Sequence, residues 1–371
     1  MPPRRHLLRG AGVIASAGVL GAGGWSVVTG RRPAARTAQI PLYSETVAVG
    51  PDGRRTLVHA DSLDSLIPGT RLLSGAEDTP PARRWAEMTA QAAAWLDRVP
   101  ERRRGLAADA LADLWVLLDD LPGPVAAWTP YWRYIWPRDG AFCAAALARI
   151  GCADQAARIL GHMATLQGED GWFEARYVPG TAETPDDRRR QFDGTGLLLW
   201  ATATTLEALP DEARRQAGER LAPMIERSRA ALEDATKQGH RLPPVSPDYW
   251  EVREHRVTLG IAAATMVGLR AAERIGDLRG IPVDGDIAER FAGVLRSTFG
   301  ARGFQRYRRS GGADSARAFF DACDAPGIVT LPQLQAVRAE CARPGGGIAP
   351  GASWRDDGIS WTPSTTLLGL A

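Results

Sequence analysis

Three short segments of the chain place carboxylates beside aromatic rings, an arginine or an amide, and this chemical set suits sugar binding. The segments are Trp136-Pro137-Arg138-Asp139, Gln191-Phe192-Asp193-Gly194 and Asp248-Tyr249-Trp250-Glu251. Aromatic rings lie against the C–H faces of a sugar, while ionic groups form hydrogen bonds with its hydroxyls. The combination therefore favours a neutral polyol as the ligand.

The first segment ends an aromatic stretch, Trp128 to Phe142, although aromatic residues make up only 7% of the chain. The apolar run from Ala141 to Ala148 predicts a helix, with Asp139 as its candidate N-cap. Rings, an arginine and a carboxylate would then lie at the mouth of a helix. The alternative is an aromatic loop that fills the core, with Arg138 and Asp139 paired to each other.

Glu251 is the carboxylate with the clearest catalytic potential. It directly follows Trp250, and an aromatic wall that excludes water raises the pKa of a carboxylic acid. A general acid must be protonated near neutral pH, so Glu251 is the candidate proton donor. Asp193 has an alternative role as a helix cap. The nearby Glu254 and His255 lack the spacing of metal ligands, so no metal site is expected.

Apolar residues recur at helical spacing in eleven segments, and no β-branched runs alternate with them, so the sequence predicts an all-α fold. The segments are 82–98, 104–120, 140–150, 153–166, 194–208, 211–235, 256–275, 284–299, 313–323, 331–342 and 363–371. Three connecting loops are unusually long, namely 121–139, 167–193 and 236–255. Alternate loops in a ring of helical hairpins emerge on one face, so these three are expected to converge. The charged run from Asp186 to Arg190 is expected to be a solvated surface.

The residues before the helices divide into two regions. Residues 1–38 contain Arg4-Arg5 followed by a weak apolar run and resemble a twin-arginine export signal with a linker. The expected location is extracellular or in the cell envelope, with membrane contact only through an uncleaved signal. Residues 39–79 carry short apolar runs around the turn Pro51-Asp52-Gly53, which predicts a small β hairpin. Residues 80–371 form the predicted helical domain.

The charge and the cysteines of the chain bear on whether it binds nucleic acid, a metal or a cofactor, and on whether it contains disulfides. The net charge is +2 and the arginines are scattered without a basic stripe, so nucleic acid is not an expected partner. The four cysteines have no metal-binding spacing, and neither a metal nor a cofactor is expected. Cys143 and Cys152, placed on one helix, would be too far apart for a disulfide. Pairing of Cys323 with Cys341 is left open.

Taken together, the three segments resemble those of the glucoamylase-type glycosidases, glycoside hydrolase family fifteen. That family carries an aromatic run ending in W-x-R-D, a Q-x-D-G segment before a helix, and a D-x-W-E segment. This chain has all three in the same order within residues 80–371. The resemblance implies a toroid of six helical hairpins, an (α/α)6 barrel, acting on an oligosaccharide as a monomer.

The resemblance also implies a role for each matched residue. Four polar residues would hold hydroxyls of the terminal sugar or line its pocket: Arg138, Asp139, Gln191 and Asp193. Three tryptophans would form the walls: Trp132, Trp136 and Trp250. Glu251 would protonate the departing glycosidic oxygen. Enzymes of this family invert the anomeric centre, which needs a second carboxylate about 6.5–9.5 Å away to activate water.

The second carboxylate is where this chain departs from the family, whose base is a glutamate in a Pro-Glu segment before the last helix. Here Gly351 follows Pro350, and no glutamate occurs after Cys341. Asp356 and Asp357 are the candidate bases, with a surface turn as the alternative. Two functions therefore stay open: an exported inverting exo-glycosidase for α-glucosidic or related oligosaccharides, and a carbohydrate-binding protein without turnover. A third open function is that of a lyase or phosphorylase built on the same toroid.

Overall fold

The computed structural model describes residues 46–371, so the predicted export signal, the linker and the first residues of the lead-in lie outside the described residues. The described part contains eleven α-helices: α1 (Pro80–Arg98), α2 (Glu101–Leu118), α3 (Pro137–Arg149), α4 (Ala153–Leu166), α5 (Asp193–Ala208), α6 (Asp211–Thr236), α7 (Leu259–Arg279), α8 (Asp286–Phe299), α9 (Arg317–Ala322), α10 (Leu331–Cys341) and α11 (Thr362–Leu370). Each predicted helical segment overlaps one of them. The all-α prediction is therefore confirmed.

A two-stranded antiparallel sheet precedes the helices, as the turn signal predicted. Strand β1 (Thr46–Val49) pairs with β2 (Arg55–Val58). Gly53 lies in the connecting turn with a φ of +75°, a conformation that glycine adopts without steric cost. The Arg55 guanidinium donates to the Val116 carbonyl at 2.6 Å, which fastens the hairpin to α2.

The helices form an inner and an outer layer. The odd-numbered helices α3, α5, α7, α9 and α11 pack side by side in chain order. The even-numbered helix that follows each of α1, α3, α5, α7 and α9 packs against it as a hairpin partner. Nearly every residue of α5 is buried, as an inner helix surrounded by protein requires. Five helical hairpins and α11 thus make up the described helical domain.

Helices α5 and α7 come into close contact at two glycines. A Cβ on Gly196 would lie 2.0 Å from the carbonyl oxygen of Ala264. A Cβ on Gly268 would lie 2.5 Å from the Cα of Gly196. Only residues without a side chain permit this approach. It fixes α5, which begins at Asp193, against α7, which follows the loop that carries Glu251.

The start of α3 differs from the prediction. Trp136 is the N-cap and Pro137 takes the first helical position, where its missing N–H is not needed. Asp139 therefore lies in the first turn, and the prediction that it caps the helix is wrong. Helix α5 begins at Asp193 with Phe192 as its N-cap, so Asp193 is not the N-cap either.

All four cysteines are free, including Cys323 and Cys341. Cys143 lies in α3, whereas Cys152 is the N-cap of α4, so the prediction that the two share a helix is wrong. Burial raises the pKa of the Cys143 and Cys341 thiols to about 12. Within residues 46–371, no helix combines the length and apolarity needed to cross a membrane.

Candidate active site

Arg138 is the centre of the candidate site, because side chains from distant parts of the chain meet at its guanidinium. Its Nη1 donates to Gln191 Oε1 and to Asp193 Oδ2, each at 2.9 Å. Its Nη2 donates to Glu251 Oε1 at 3.0 Å, and Asp139 Oδ2 lies 3.5 Å from its Nε. The three segments selected from the sequence therefore converge on one group.

The helix starts position these side chains. Arg138 is in the first turn of α3, Asp193 begins α5, and Glu251 lies in the loop that leads to α7. A Cβ on Gly194 would lie 2.9 Å from the Cβ of Pro137, so this glycine lets α5 begin against the start of α3. Helix N-termini favour negative charge, which suits a site rich in carboxylates.

Burial and neighbouring charges set the protonation of this cluster. Burial raises the pKa of Asp193, whose side chain is 2% exposed, and Arg138 opposes the increase only in part. Burial also raises the pKa of Asp139, with Arg138 opposing and the charge of Glu251 reinforcing the increase. Burial lowers the pKa of Arg138, but the surrounding carboxylates outweigh this and raise it overall. The guanidinium therefore stays charged.

Glu251 is an ion-paired carboxylate, whereas the sequence predicted an acid lying against an aromatic wall. Its Oε2 accepts a hydrogen bond from Arg188, so both of its carboxylate oxygens have a guanidinium partner. The Nε of Arg188 lies 3.1 Å from Asp186 Oδ2. The run from Asp186 to Arg190, expected only as solvated surface, thus contributes a contact to the candidate acid.

Buried hydrogen bonds fix the backbone of the D-x-W-E segment. Asp248 Oδ1 accepts from the backbone N–H of Trp250 at 3.0 Å, and Asp248 Oδ2 accepts from the Thr258 hydroxyl at 2.7 Å. Glu251 follows with a φ of +54°, a region that is costly for a residue with a side chain. Strained backbone of this kind occurs often at functional sites, where the surrounding structure enforces it.

A second, fully buried ion cluster is joined to this segment through Asp248. We call it the Arg306 cluster, and it comprises Arg306, Asp248, Glu254 and Asp314. Arg306 Nη2 lies 3.1 Å from Asp248 Oδ1 and 2.6 Å from Glu254 Oε1, and its Nη1 lies 3.0 Å from Asp314 Oδ2. The guanidinium carbon is 3.5 Å from the centre of the Trp250 ring. Trp250 therefore packs on this arginine, and with 7% of its surface exposed it offers little wall to a ligand.

The Arg306 cluster contains one guanidinium and three carboxylates. With all three carboxylates ionised, their negative charge exceeds the single positive charge of Arg306. Burial raises the pKa of Asp314, with Arg306 opposing and Asp248 reinforcing the increase. Burial and the charge of Asp314 also raise the pKa of Tyr249, whose hydroxyl contacts Asp314. The charge of Arg306 is therefore needed to hold the segment that carries Glu251.

The other two predicted walls, Trp132 and Trp136, differ in exposure. Trp132 is 55% exposed and stacks on Trp136, with ring centres 5.9 Å apart and planes at 28°. Trp136 is only 2% exposed. The Arg176 guanidinium lies 5.2 Å from the Trp136 ring centre in a cation–π contact. Of the three predicted walls, Trp132 is the one with an accessible face.

Gly351 stands at the position where the resemblance places the catalytic base. A Cβ at this glycine would lie 2.5 Å from Cζ2 of Trp250 and 3.2 Å from the carbonyl oxygen of Ala313. The Trp250 ring fills the space that a longer side chain would need. This position therefore supplies no carboxylate, in agreement with the sequence.

The two aspartates suggested as replacements lie on a turn. Asp356 is exposed, and Asp357 Oδ1 accepts the backbone N–H of Ile359 at 3.0 Å. Within the described residues, no hydrogen bond or ion pair joins either aspartate to Arg138 or Glu251. The same part of the chain contains no group of three or more His, Cys, Asp or Glu side chains placed to hold a metal ion.

Solved structures similar to this chain are glycosidases. A glycosidase in its wild-type form aligns with a TM-score of 0.55 and 20% identity over 79% of each chain. A variant described as a glycosidase in complex with glucose aligns equally well, with a TM-score of 0.55. A glucoamylase from Saccharomycopsis fibuligera aligns with a TM-score of 0.50 and 12% identity over 78% of this chain and 72% of its own. At these identities the likeness establishes the fold, which is that of the six-hairpin glycosidases.

One curated protein is similar in sequence over a shorter stretch. It is described as an uncharacterized glycosyl hydrolase of Methanocaldococcus jannaschii and is 36% identical over 95 residues. The aligned stretch covers 25% of this chain and 15% of that protein's length. No known family profile matches the chain.

Proposed function

We propose that this chain is an exported inverting exo-glycosidase that hydrolyses α-glucosidic or related oligosaccharides, with Glu251 as the general acid. The observation that carries the proposal is the convergence of Gln191, Asp193, Asp139 and Glu251 on Arg138. The glycosidase neighbours, one of them in complex with glucose, support a sugar substrate. The twin-arginine pattern supports export.

In this proposal the terminal sugar lies on the accessible face of Trp132, with Arg138 and Asp139 binding its hydroxyls. Gln191 and Asp193 line the same pocket and orient Arg138. The bond between the anomeric carbon and the glycosidic oxygen breaks as Glu251 transfers its proton to that oxygen. Water attacks the opposite side of the anomeric carbon and gives up a proton to a carboxylate base.

The base is the unassigned part of this mechanism. Asp356 and Asp357 are the proposed candidates, and the water that attacks the anomeric carbon would lie between one of them and the sugar. The missing base also supports the carbohydrate-binding alternative. At position 351, where the family's base would stand, the glycine and the neighbouring Trp250 ring leave no room for a carboxylate side chain. A pocket that binds sugar but does not activate water would be a receptor without turnover.

Sugar release distinguishes the two functions. The protein without residues 1–38 is incubated with maltose, isomaltose, trehalose and dextrin fragments, and released sugar and its anomeric form are followed. Release of the inverted anomer that is lost in Asp356→Asn or Asp357→Asn would support hydrolysis with that aspartate as base. Calorimetric binding of a sugar with no release from any substrate would support the binding protein and overturn the hydrolase. A rate that depends on phosphate would indicate a phosphorylase.

Arg188 must leave Glu251 before the acid can donate a proton, because its guanidinium pairs with the ionised form. We expect Arg188→Gln to raise kcat on maltose by about twofold to fivefold, because an ion pair worth up to about 1 kcal/mol no longer has to open before proton transfer. The exposed neighbour Arg189→Gln is the matched control and should leave kcat unchanged. A kcat that is unchanged or lower in Arg188→Gln would show that this contact does not restrain the acid.

A further inference from the structure

Three exposed arginines lie on two loop segments beside the candidate site, and we call them the arginine patch. Arg256 belongs to the loop that leads to α7, and Arg308 and Arg309 belong to the connection between α8 and α9. Within residues 46–371, no carboxylate forms an ion pair with any of the three. The patch therefore presents positive charge that the described part of the chain leaves unneutralised, and such a surface attracts anions.

Direct contacts hold the two segments of the patch together. Arg256 Nη1 donates to the Ser310 hydroxyl at 3.2 Å, and its guanidinium carbon lies 4.0 Å from the centre of the Tyr307 ring. The backbone N–H of Tyr307 donates to the Ser310 carbonyl at 3.0 Å, so Arg308 and Arg309 occupy the two corner positions of a tight turn. Because the backbone of this turn is already ordered, binding an anion there would cost less conformational entropy.

The patch is connected to the segment that carries Glu251. The Tyr307 hydroxyl donates to Glu254 Oε2 at 2.9 Å, and Glu254 pairs with Arg306 of the Arg306 cluster. Glu254 is three residues after Glu251, and the exposed Arg253 lies between them. The patch therefore adjoins the loop that positions the candidate proton donor, and Arg253 adds a fourth positive charge on that loop.

The segment from which Arg188 reaches Glu251 has the opposite charge. Arg188 lines a cavity of about 600 Å³ together with four carboxylates, those of Glu174, Glu183, Asp186 and Asp187. An anionic group is repelled by the excess of carboxylates there and attracted to the arginine patch. The charges around Glu251 would therefore direct an anionic chain toward the loop that leads to α7.

We propose that the arginine patch binds the carboxylate or phosphate groups of an acidic glycan. The substrate class of the site is then an oligosaccharide with a neutral terminal residue and anionic residues further along the chain, an inference that rests on the proposed function. Guanidinium groups form paired hydrogen bonds with carboxylates and with phosphates, so the patch suits either substituent.

A glycan fits the patch better than a nucleic acid or a membrane does. The net charge of the whole chain is only +2, which is low for a partner of nucleic acid. Residues 252–257 and 307–310 contain no exposed large apolar side chain that could enter a lipid surface. The candidate sugar site beside the patch supplies the positive reason for choosing a glycan.

Calorimetric titration of the full-length Glu251→Gln protein tests the patch without any need for turnover. The probes are a neutral dextrin, a polygalacturonate fragment and a poly(glycerol phosphate) of similar length. We expect at least one anionic polymer to bind more tightly than the dextrin, and the double substitution Arg308→Gln and Arg309→Gln to weaken that binding about tenfold. The affinity for dextrin should be retained. The anionic polymer that responds identifies the bound group as carboxylate or phosphate.

The double substitution Arg102→Gln and Arg103→Gln is the matched control, because these adjacent arginines are also exposed and lie at the start of α2. It removes the same charge and should retain the affinity for each polymer. Equal losses in the two double variants would indicate a general charge effect and overturn the patch. Equal binding of the dextrin and both anionic polymers would also overturn it.

Failure of the patch and failure of the proposed hydrolysis give different results. Polymer binding that depends on Arg308 and Arg309, in a protein whose wild type releases no sugar, would support the patch and overturn only the hydrolase. Sugar release by a wild type that binds neither anionic polymer would overturn the patch alone. Binding of phosphatidylglycerol vesicles that is lost in the Arg308 and Arg309 variant, with neither polymer bound, would identify a membrane-contact surface and overturn the glycan.

Discussion

Replacing Glu251 by glutamine is expected to lower kcat on a natural disaccharide by about three orders of magnitude, within the roughly 10²–10⁴ range of general acid catalysis. An amide has nearly the shape of the carboxylic acid but no proton to give to the glycosidic oxygen. The loss should be far smaller with α-glucosyl fluoride, since fluoride departs without being protonated. Initial rates on the two substrates give the comparison.

The matched control is Glu183→Gln, an exposed glutamate in the 167–192 loop, which should retain wild-type rates on both substrates. Circular dichroism of each variant verifies that the fold is retained, because Glu251 pairs with both Arg138 and Arg188. Equal losses on the disaccharide and the fluoride would show that Glu251 contributes to binding or folding and not to proton transfer. Unchanged rates on both would remove it from the mechanism.

Arg306→Met is expected to have the largest effect on stability, lowering the free energy of unfolding by about 3–5 kcal/mol. Methionine fills part of the same space but leaves Asp248, Glu254 and Asp314 buried without their cation. Their mutual repulsion and desolvation are then uncompensated. Urea unfolding at neutral pH, followed by tryptophan fluorescence, measures the change.

Arg308→Met is the control for this experiment, because Arg308 lies two residues away in the same loop and is exposed. It should change the free energy of unfolding by less than about 0.5 kcal/mol. Arg306→Lys keeps one positive charge and should fall between the methionine variant and the wild type, which provides a measurement even where Arg306→Met does not fold. A methionine variant as stable as the control would show that the cluster is not held by the arginine.

The helical framework was predictable because apolar residues repeat along the sequence at the spacing of one helix face. Helix α4 runs over Ala153–Leu166, as the pattern indicated. The exception is the segment predicted as 313–323, since α9 occupies only Arg317–Ala322. Asp314 bonds to Arg306 and the Ser315 N–H bonds to the Pro350 carbonyl, so the first residues of that segment are held outside the helix. Periodicity does not reveal such tertiary contacts.

The candidate site was predictable where short motifs carry the chemistry, and not where isolated arginines do. Asp139, Asp193 and Glu251 were identified from their neighbours in the sequence, and the structure brings them to one guanidinium. Arginines that reach a carboxylate far away in the chain gave no signal, because arginines are spread along the whole sequence. Arg188 is 63 positions from its partner Glu251, and Arg306 is 52 positions from its partner Glu254.

The environment of Glu251 could not be inferred from the preceding tryptophan. Adjacent residues in an irregular loop direct their side chains differently, and the Trp250 ring packs on Arg306 while the Glu251 carboxylate meets Arg138. The sequence also could not show that Trp250 fills the space beside Gly351. The left-handed backbone at Glu251 was likewise not signalled by any residue type there.

A crystal structure of the Glu251→Gln protein with bound maltotriose would test most directly whether the side chains around Arg138 form the sugar site. We expect the terminal glucose to lie against Trp132 with its hydroxyls on Arg138 and Asp139, and the glycosidic oxygen within hydrogen-bond distance of the side chain at position 251. Arg188 should have moved away from that side chain. A sugar bound at another surface, or none bound at millimolar concentration, would contradict the assignment of this cluster as the sugar site.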